Sequence, residues 1–354
     1  MRLTAVTALT ALSLSTAADA QVIAKLVMPG GSVGKEKMFE LARPQSRANQ
    51  GPVLTSPLLS KPRVCLVLGG GGTRGAAHVG VLRVLRDAGV PIDCIAGTSI
   101  GAIVGGLYLG GVPLDTLENQ VRNNSVMRSF MNVPLKMRVF TTPIHLLPRL
   151  VGIRSLDGLY SGTKFRKYLE KQLPDPEQNI EDLKTPFCAV SLSLIDGQLH
   201  SFTRGNLVRA MQASSALPEL RRPVVIDNNL YVDGGIFSNV PVEQARSVLG
   251  ASFIIAVDID ERFNDVQIDH FKKLGSVGSR LVTLELVHND WPELSKADIV
   301  IHPNVDGIGL ISRKKSDSNA AFEAGIAATR EALPSIVEAL KARGVEVGSV
   351  LVSH

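Results

Sequence analysis

The fold of this chain is decided by the stretch VCLVLGGGGTRG, residues 64–75. Its first five residues are all apolar, which is typical of a strand that is buried on both faces of a parallel sheet. Four glycines follow, and residues 76–88 then carry apolar side chains at helical spacing until Gly89, where a left-handed residue commonly ends a helix. The stretch therefore predicts a strand, a glycine-rich turn and a helix.

The same order of elements is repeated immediately afterwards. Residues 90–96 predict a second strand, residues 97–101 a tight turn and residues 102–109 the start of a second helix. Two successive units of strand, glycine turn and helix predict an α/β fold with a largely parallel central sheet. Further buried strands are predicted at residues 187–194 and 253–257.

Outward from this core, the 354-residue chain divides into three parts. Residues 1–20 combine a short positive region, an apolar run and an Ala-Asp-Ala site, which predicts a cleavable signal peptide and a periplasmic or secreted protein; the alternative is an ordinary N-terminal helix. Residues 21–62 hold prolines, serines and lysines without periodicity, which indicates a linker or a loosely docked arm. Residues 63–354 form the predicted α/β domain.

Composition limits the classes of partner and cofactor. The net charge of +5 suits an anionic surface such as phospholipid headgroups, and equally a solvated surface with a slight excess of Lys and Arg. No basic run carries interleaved aromatic residues, so no nucleic acid is predicted as a partner. The three cysteines are odd in number and lack CxxC spacing, so neither a zinc site nor a disulfide framework is indicated. No segment after the N-terminus is apolar for about 18 residues, so no membrane span is expected.

A serine nucleophile is indicated at Ser99, which lies in the pentapeptide GTSIG, residues 97–101, between a predicted strand and a predicted helix. A nucleophile elbow needs this context, because glycines allow the sharp turn that exposes the hydroxyl. The N-terminus of the following helix adds partial positive charge, which favours a developing oxyanion. The alternative is a glycine-rich turn whose serine caps the helix.

The glycine-rich segment at residues 70–75 has two interpretations. It matches GxGxxG, but a dinucleotide-binding unit needs an acidic residue at the end of its second strand, and that strand here ends in Ile-Ala. The favoured interpretation is an oxyanion loop in which Gly70, Gly71 and Gly72 supply backbone N–H groups. Arg74 is predicted to reinforce the positive potential; the alternative for Arg74 is a structural contact with a carboxylate or a carbonyl.

A general base is indicated at Asp233, which ends a short predicted strand and precedes two glycines. A serine needs a base within hydrogen-bond reach, and a carboxylate in a dry pocket has the raised pKa that suits this work. The alternative is an aspartate that caps a turn. His288 and His302 follow Asp233 and could complete a Ser–Asp–His order, but neither lies in a context that marks a catalytic loop, and His78 is more typical of packing.

These segments together resemble the patatin-like phospholipase family, whose bacterial members are similar to the catalytic domain of neuropathy target esterase. The resemblance rests on the glycine loop, on the elbow continued through Tyr108, and on Asp233-Gly234-Gly235 followed by Asn239-Val240-Pro241. A further match is the run ASSALP at residues 213–218, and the likeness extends from about Val64 to about Ala328.

The resemblance implies a three-layer αβα fold for residues 63–354, as a patatin-like hydrolase domain, and a Ser–Asp dyad with no metal and no cofactor. It implies that Ser99 forms an acyl-enzyme, that Asp233 takes the serine proton and later activates water, and that the loop Gly70–Gly72 stabilises the oxyanion. The substrates it implies are phospholipids or lysophospholipids, with a peripheral membrane surface as a further partner.

Two positions depart from the family pattern. Gln212 stands where relatives usually have arginine, and Gly69 stands where an acidic residue or a serine often precedes the glycines. Residues 112–160 fit a cap, a lipid-facing flap or an ordinary insertion. The functional alternative is a non-catalytic lipid-binding protein that keeps the fold.

Overall fold

The structure is a computed structural model that describes residues 62–133, 158–218, 220–262, 267–272, 276–277, 280, 284 and 290–348. The predicted signal peptide and nearly all of the predicted arm lie outside these ranges, as do residues 134–157 of the stretch predicted to be a cap, flap or insertion. The domain boundaries and the export signal therefore stay predictions.

One mixed sheet runs through the described residues. Its strands are β1 (Val64–Leu68), β2 (Cys94–Thr98), β3 (Phe187–Ser193), β4 (Leu199–Phe202), β5 (Val224–Ile226), β6 (Asn229–Asp233), β7 (Phe253–Val257) and β8 (Ile299–Ile301). They pair in the order β5-β6-β3-β2-β1-β7-β8, and β4 also pairs with β3. The pairs from β3 through β2, β1 and β7 to β8 are parallel, whereas β4, β5 and β6 make antiparallel pairs.

Helices cover both faces of this sheet. The α-helices are α1 (Ala76–Asp87), α2 (Ile100–Leu109), α3 (Leu114–Arg122), α4 (Ser125–Phe130), α5 (Thr163–Gln172), α6 (Leu207–Ser214), α7 (Val242–Ser247) and α8 (Lys315–Ala342). Short 3-10 helices span Gly72–Gly75, Ile180–Asp182, Gly234–Ile236 and Ile268–Lys272. The part of the chain that the structure describes contains no helix with the length and apolar character of a membrane span.

Alternate residues of the central strands enter two separate apolar clusters. Leu66 and Leu68 of β1 share one cluster with residues of α1, α2 and α8, whereas Cys65 and Val67 share the other with residues of α7. Because side chains alternate across a strand, this division gives a sheet between two helical layers. The predicted α/β class with a largely parallel central sheet is confirmed.

A pair of glycines brings α1 and α8 into close contact. A β-carbon added to Gly80 would lie 2.4 Å from the carbonyl oxygen of Phe322, and one added to Gly325 would lie 2.1 Å from that of Ala77. Any larger residue at either position would push the helices apart. This packing fixes α1, whose start follows the glycine loop, against the long C-terminal helix.

The register of β3 decides where two strand ends meet. Val190 pairs with Thr98 of β2, and the next residue, Ser191, pairs with Asp233 of β6. Residues of β4 pair with both Val190 and Ser191, so β4 occupies one edge of β3 and β2 and β6 must share the other. Since β2 is parallel and β6 antiparallel to β3, their carboxyl ends approach each other head-on.

Several element bounds differ from the sequence-based predictions. The second strand begins at Cys94 instead of residue 90, because Asp93 accepts a hydrogen bond from the Val64 N–H (2.8 Å) and marks the strand's start. The second helix begins at Ile100, directly after the elbow serine.

All three cysteines are buried free thiols, and burial raises the pKa of Cys188 to about 12.

Candidate active site

Ser99 lies at the turn between β2 and α2. Its backbone has φ 54° and ψ −119°, a conformation that non-glycine residues rarely adopt and that stores strain. A β-carbon on Gly101 would lie 2.1 Å from the carbonyl oxygen of Leu68, so α2 can start this close to β1 only with glycine there. The local sequence thus forms a strained turn between a strand and a helix, as predicted for this pentapeptide.

The structure brings Ser99 and Asp233 together. The Ser99 hydroxyl donates a hydrogen bond to Oδ2 of Asp233 over 2.6 Å. Thr98, the last residue of β2, donates from its hydroxyl to the carbonyl of Ser238 (3.0 Å), which ties the end of β2 to the segment that follows Asp233. The contact between Ser99 and Asp233 is therefore fixed both by the register of the sheet and by the loop that follows Asp233.

The environment of Asp233 changes its acidity. Its side chain is 4% exposed, and burial raises its pKa to about 6, while hydrogen bonds from the Ser99 hydroxyl and the Gly235 N–H (2.9 Å) pull in the opposite direction. Loss of water stabilises the neutral carboxyl group, whereas both donors stabilise the carboxylate. At neutral pH the group is mostly ionised, and its raised pKa makes it a stronger base than an exposed aspartate.

The glycine loop carries fewer available donors than its sequence predicts. The N–H of Gly70 donates to the carbonyl of Asn239 over 3.1 Å and is already engaged. Within the described residues, the N–H groups of Gly71 and Gly72 have no acceptor. The prediction of three glycine donors therefore differs from the structure at Gly70, and two backbone donors of this loop remain for a substrate oxygen.

Gly70 itself serves as the point of closest approach. A β-carbon at this position would lie 3.3 Å from Cβ of Ser99 and 2.3 Å from Oδ1 of Asn239. The absence of a side chain lets the loop lie against both the elbow serine and Asn239.

The side chain of Arg74 makes the kind of structural contacts that were considered as the alternative for it. Its Nε donates to the carbonyl of Ile308 (2.6 Å), its Nη2 donates to the carboxylate of Glu261 (2.8 Å), and the residue is 5% exposed. Its guanidinium therefore anchors the glycine loop to two distant segments. A contribution of Arg74 to the positive potential of the oxyanion loop stays a prediction.

Two residues of the site were missed by sequence reasoning. The backbone N–H of Ser99 donates to Oγ of Ser214 (2.9 Å), and that hydroxyl donates to the carbonyl of Val190 (2.5 Å). Ile100 follows the serine at the start of α2, and in the described residues its N–H has no acceptor, so the elbow holds a third free backbone donor. The ASSALP run that contains Ser214 was visible as a motif, but its contact with the elbow was not.

The histidines whose side chains are described have partners other than Ser99 and Asp233. Nε2 of His78 lies 2.8 Å from the carbonyl oxygen of Gly69, and burial lowers the pKa of this fully buried ring to about 4. His200 packs against two aromatic rings, and Nδ1 of His302 lies 2.9 Å from Oδ2 of Asp258. His288 lies outside the described residues. None of the histidines with described side chains hydrogen bonds to Ser99 or Asp233.

A cluster of three buried carboxyl groups lies beside the site. Carboxyl oxygens of Asp258, Asp260 and Asp290 lie within 4.8 Å of one another, close enough to share a cation, at the wall of a cavity of about 580 Å³. The Asn239 amide donates to Asp260 (3.1 Å) and to Asp290 (3.0 Å), and the Val240 N–H donates to Asp290 (3.2 Å). Protein donors thus already engage these oxygens.

Burial raises the pKa values of the neighbouring carboxyl groups of Asp260 and Asp290. Burial, together with the neighbouring carboxylates of Asp258 and Asp290, raises the pKa of Asp260 well above its usual range. Burial raises the pKa of Asp290 to about 6, while its hydrogen bonds with Asn239 and Asp260 act in the opposite direction. This pair holds the side-chain amide of Asn239, and the backbone carbonyl of Asn239 accepts the Gly70 N–H.

Exposed apolar residues flank the Ser99–Asp233 pair along the chain. Ile236 and Phe237, which are 37% and 48% exposed, follow Asp233-Gly234-Gly235 directly. Leu217, 41% exposed, follows Ala216, whose carbonyl accepts the Asp233 N–H over 3.0 Å. These side chains offer exposed apolar surface close along the chain to Asp233 and to the residue that accepts its N–H.

Curated relatives match this chain over part of its length. Patatin-like phospholipase domain-containing protein 7 of Mus musculus is 33% identical over 207 residues, which is 58% of this chain and 14% of that protein. Neuropathy target esterase sws of Drosophila melanogaster is 32% identical, covering 55% and 13%. Lysophospholipase NTE1 of Yarrowia lipolytica is 26% identical, covering 73% and 16%. The chain therefore spans between 13% and 16% of the length of these relatives.

Solved structures and a family model complete the comparison. VipD from Legionella pneumophila matches with a TM-score of 0.46 and 15% identity, covering 78% of this chain and 67% of that one. Human GIVD cytosolic phospholipase A2 matches with a TM-score of 0.44 and 12% identity, covering 80% and 60%. The model of patatin-like phospholipases matches residues 66–246, which is more than half of the 354 residues. The chain thus belongs to the patatin-like phospholipase family, as its motifs indicated.

Proposed function

We propose that this chain is a lipid acyl hydrolase, of phospholipase A or lysophospholipase type, that uses Ser99 as nucleophile and Asp233 as base. The observation that carries the proposal is the 2.6 Å hydrogen bond from the Ser99 hydroxyl to the buried carboxylate of Asp233. A serine is a weak nucleophile unless a base removes its proton, and Asp233 is the titratable group in contact with this hydroxyl.

The first half of the reaction follows from this contact. Ser99 Oγ attacks the carbonyl carbon of the ester while its proton passes to Asp233. The carbonyl oxygen becomes an oxyanion, for which the N–H groups of Gly71, Gly72 and Ile100 are the available donors. The tetrahedral intermediate collapses, the ester C–O bond breaks, and the leaving alcohol takes the proton from Asp233.

The second half regenerates the serine. Asp233, again ionised, removes a proton from water, and the hydroxide oxygen attacks the acyl-enzyme carbonyl. The Ser99 ester bond breaks, the serine oxygen recovers the proton from Asp233, and a fatty acid leaves. The exposed side chains of Leu217, Ile236 and Phe237 offer an apolar surface for the acyl chain or for the edge of a bilayer.

The test is hydrolysis of phosphatidylcholine and lysophosphatidylcholine by wild type, Ser99→Ala and Asp233→Asn, with release of fatty acid as the readout. Hydrolysis by wild type that is lost in both variants, with unchanged circular dichroism, is the expected result. A fluorophosphonate probe separates the alternative of a lipid-binding protein without catalysis: labelling of wild type and not of Ser99→Ala supports the enzyme. Hydrolysis retained by Asp233→Asn would remove Asp233 from its role.

Export is a further part of the proposal. Residues 1–20 carry the charge, apolar run and Ala-Asp-Ala site of a cleavable signal peptide. Expression of the full chain in a bacterium, followed by N-terminal sequencing of the protein recovered outside the inner membrane, tests it. A mature protein that begins at Gln21 is expected, and a cytoplasmic protein that retains residues 1–20 contradicts export.

A further inference from the structure

A second, polar cavity of about 250 Å³ lies at the N-terminus of α5. Its walls include Ser129, Asn132, Ser161, Gly162, Lys164 and Arg221. Two of these residues are cationic, and none of the described lining residues is an aspartate or a glutamate. Neither Ser99 nor Asp233 lines this cavity, so it is separate from the site already described.

Arg221 is a buried cation without an ion-pair partner among the described residues. The residue is 2% exposed, its Nη1 donates to the carbonyl of Phe130 (2.6 Å), and its Nη2 has no hydrogen-bond acceptor in the described part of the chain. Its guanidinium carbon lies 4.5 Å and 4.7 Å from the ring centroids of Phe130 and Phe165. Stacking on two aromatic rings offsets part of the cost of burial, but one donor of a buried charge remains without an acceptor.

The N-terminus of α5 adds further donors to the same cavity. The helix has 10 residues, and its N-cap is Gly162, in a left-handed conformation with φ 82° and without a side-chain cap. The Arg166 N–H makes the first intrahelical bond, to the Gly162 carbonyl, so the N–H groups of the three residues before Arg166 have no intrahelical acceptor. The positive end of the helix dipole favours an anion at this position.

The guanidinium and the helix start are adjacent. A β-carbon on Gly162 would lie 3.3 Å from Nη2 of Arg221, so the donor without an acceptor lies against the N-cap backbone. Lys164, in the first turn of α5, is exposed and lines the same cavity. Burial lowers the pKa of Arg221 to about 10, which leaves it charged at neutral pH. A guanidinium, an ammonium and free backbone N–H groups are the donor set that binds phosphate in proteins.

We propose that this cavity binds a phosphate group through Arg221, Lys164 and the N-terminus of α5. The phosphate can belong to a phospholipid headgroup, which rests on the proposed function, or can be free inorganic phosphate.

The chain joins this cavity to the Ser99–Asp233 pair by a short segment. The Arg221 N–H donates to the carbonyl of Leu217 (2.8 Å), and the preceding residue, Ala216, accepts the Asp233 N–H (3.0 Å). The segment that carries Arg221 thus also holds the backbone of the proposed base.

The test relies on Lys164, because Arg221 is buried and holds the Phe130 carbonyl, so that its replacement endangers the fold. Lys164→Gln removes one exposed charge of the cavity, and Lys171→Gln removes the same charge from the exposed last turn of the same helix. Calorimetric titration of inorganic phosphate into the full chain, at constant ionic strength, measures the first arm. We expect saturable binding that Lys164→Gln weakens about fivefold and that Lys171→Gln leaves unchanged.

The second arm compares two esters of the same acyl chain, lysophosphatidylcholine and an uncharged monoacylglycerol. If a headgroup phosphate occupies the cavity, Lys164→Gln raises the ratio of KM for the phospholipid to KM for the monoacylglycerol about fivefold, and Lys171→Gln does not. If Lys164→Gln weakens phosphate binding in the titration but leaves the KM ratio unchanged, the cavity binds free phosphate and not a headgroup. Absence of hydrolysis of both esters by wild type contradicts the proposed function. The phosphate titration still tests the phosphate site in that case.

Two outcomes overturn the proposal. One is the absence of saturable phosphate binding by wild type together with an unchanged KM ratio in Lys164→Gln. The other is an equal effect of Lys164→Gln and Lys171→Gln in both arms, because that result assigns the response to general surface charge and not to a built site.

Discussion

Thr98 and Asp233 occupy consecutive register positions on the same edge of β3, opposite Val190 and Ser191. β2 and β6 run in opposite directions along this edge, so their ends meet, and the residue after Thr98 faces the carboxylate that ends β6. The 2.6 Å contact between Ser99 and Asp233 is therefore a consequence of strand pairing. Because a slip of one residue moves every side chain to the other face, register errors in β6 would separate the pair.

The pH dependence of ester hydrolysis reports the ionisation of Asp233. Burial raises its pKa to about 6, and only the ionised carboxylate can accept the serine proton. We expect kcat/KM for a soluble acyl ester to be constant above about pH 7 and to fall about tenfold for each unit well below pH 6. Rates measured from pH 4.5 to 8, with circular dichroism to confirm the fold at each pH, test this. A half-point near pH 4 would contradict the role of burial.

Gly70→Ala is expected to lower kcat/KM about a hundredfold, because the new methyl group would displace both the loop and the elbow. A β-carbon at residue 70 would lie 2.3 Å from Oδ1 of Asn239 and 3.3 Å from Cβ of Ser99. Asn239 cannot easily move away, because its amide is held by two carboxyl groups. Gly309→Ala is the matched control, since nothing lies within 4 Å of a β-carbon there. The measurement is kcat/KM of both variants by steady-state kinetics. Equal values of kcat/KM would show that the loop tolerates the methyl group.

Ser214→Ala tests the support of the elbow. It removes the acceptor of the strained Ser99 backbone N–H, and we expect a loss of about 1–3 kcal/mol in the free energy of unfolding and about a tenfold loss in kcat/KM. Ser215→Ala is the control, because the Ser215 hydroxyl donates only to carbonyl groups of its own helix. Urea unfolding and kinetics are the measurements. Similar losses in both variants would assign the effect to α6 and not to the elbow.

Much of the fold could be predicted from the sequence because its signals are local. The apolar run of β1, the glycine turns and the helical spacing after them each lie within one short segment, and β7 is found at its predicted bounds. β5 was missed because it has only three residues, Val224–Ile226. The signal that could have found it is Asp227-Asn228, where both residues have positive φ and form the turn of a hairpin into β6.

The details of the site depend on contacts between distant segments and could not be predicted in this way. Ser99 and Asp233 were both identified from their motifs, but their contact depends on how β6 pairs with β3. The engagement of the Gly70 N–H depends on Asn239, and the orientation of Arg74 depends on Glu261 and on the carbonyl of Ile308. A motif supplies the residue types of a loop, whereas tertiary partners decide which of its donors stay free.

The Asp260–Asp290 pair predicts opposite effects of two similar substitutions. The pKa of Asp260 is higher in the folded protein than in the unfolded chain, because burial and the neighbouring carboxylates favour its protonated form. The contribution of this group to stability therefore falls as pH rises from about 4, its unfolded pKa, towards the folded value. Asn at position 260 keeps a donor for Asp290, so we expect Asp260→Asn to be more stable than wild type at pH 7, with the difference shrinking near pH 4.

Asp290→Asn is the informative counterpart. Its NH2 group replaces one of the two acceptor oxygens, so either the Val240 N–H or the Asn239 amide loses its acceptor, and we expect a loss of about 1–3 kcal/mol of unfolding free energy at pH 7. Urea unfolding of both variants at pH 4.5 and pH 7 provides the comparison. If Asp260→Asn were the less stable variant at pH 7, the proton would have to reside on Asp290.

The backbone of Ser99 predicts that glycine at this position is more stable than alanine. Its φ of 54° with ψ of −119° strains any residue with a β-carbon, at a cost of about 1–3 kcal/mol, whereas glycine adopts this conformation freely. Ser99→Gly and Ser99→Ala both abolish the hydroxyl, so the difference between them isolates the backbone term. After the greater entropy of glycine in the unfolded chain is subtracted, we expect Ser99→Gly to be more stable than Ser99→Ala by about 1 kcal/mol in urea unfolding. Equal stabilities would mean that the elbow relaxes once the hydroxyl is gone, so that the strain is sustained by the hydrogen bond to Asp233 and not by the glycine turn.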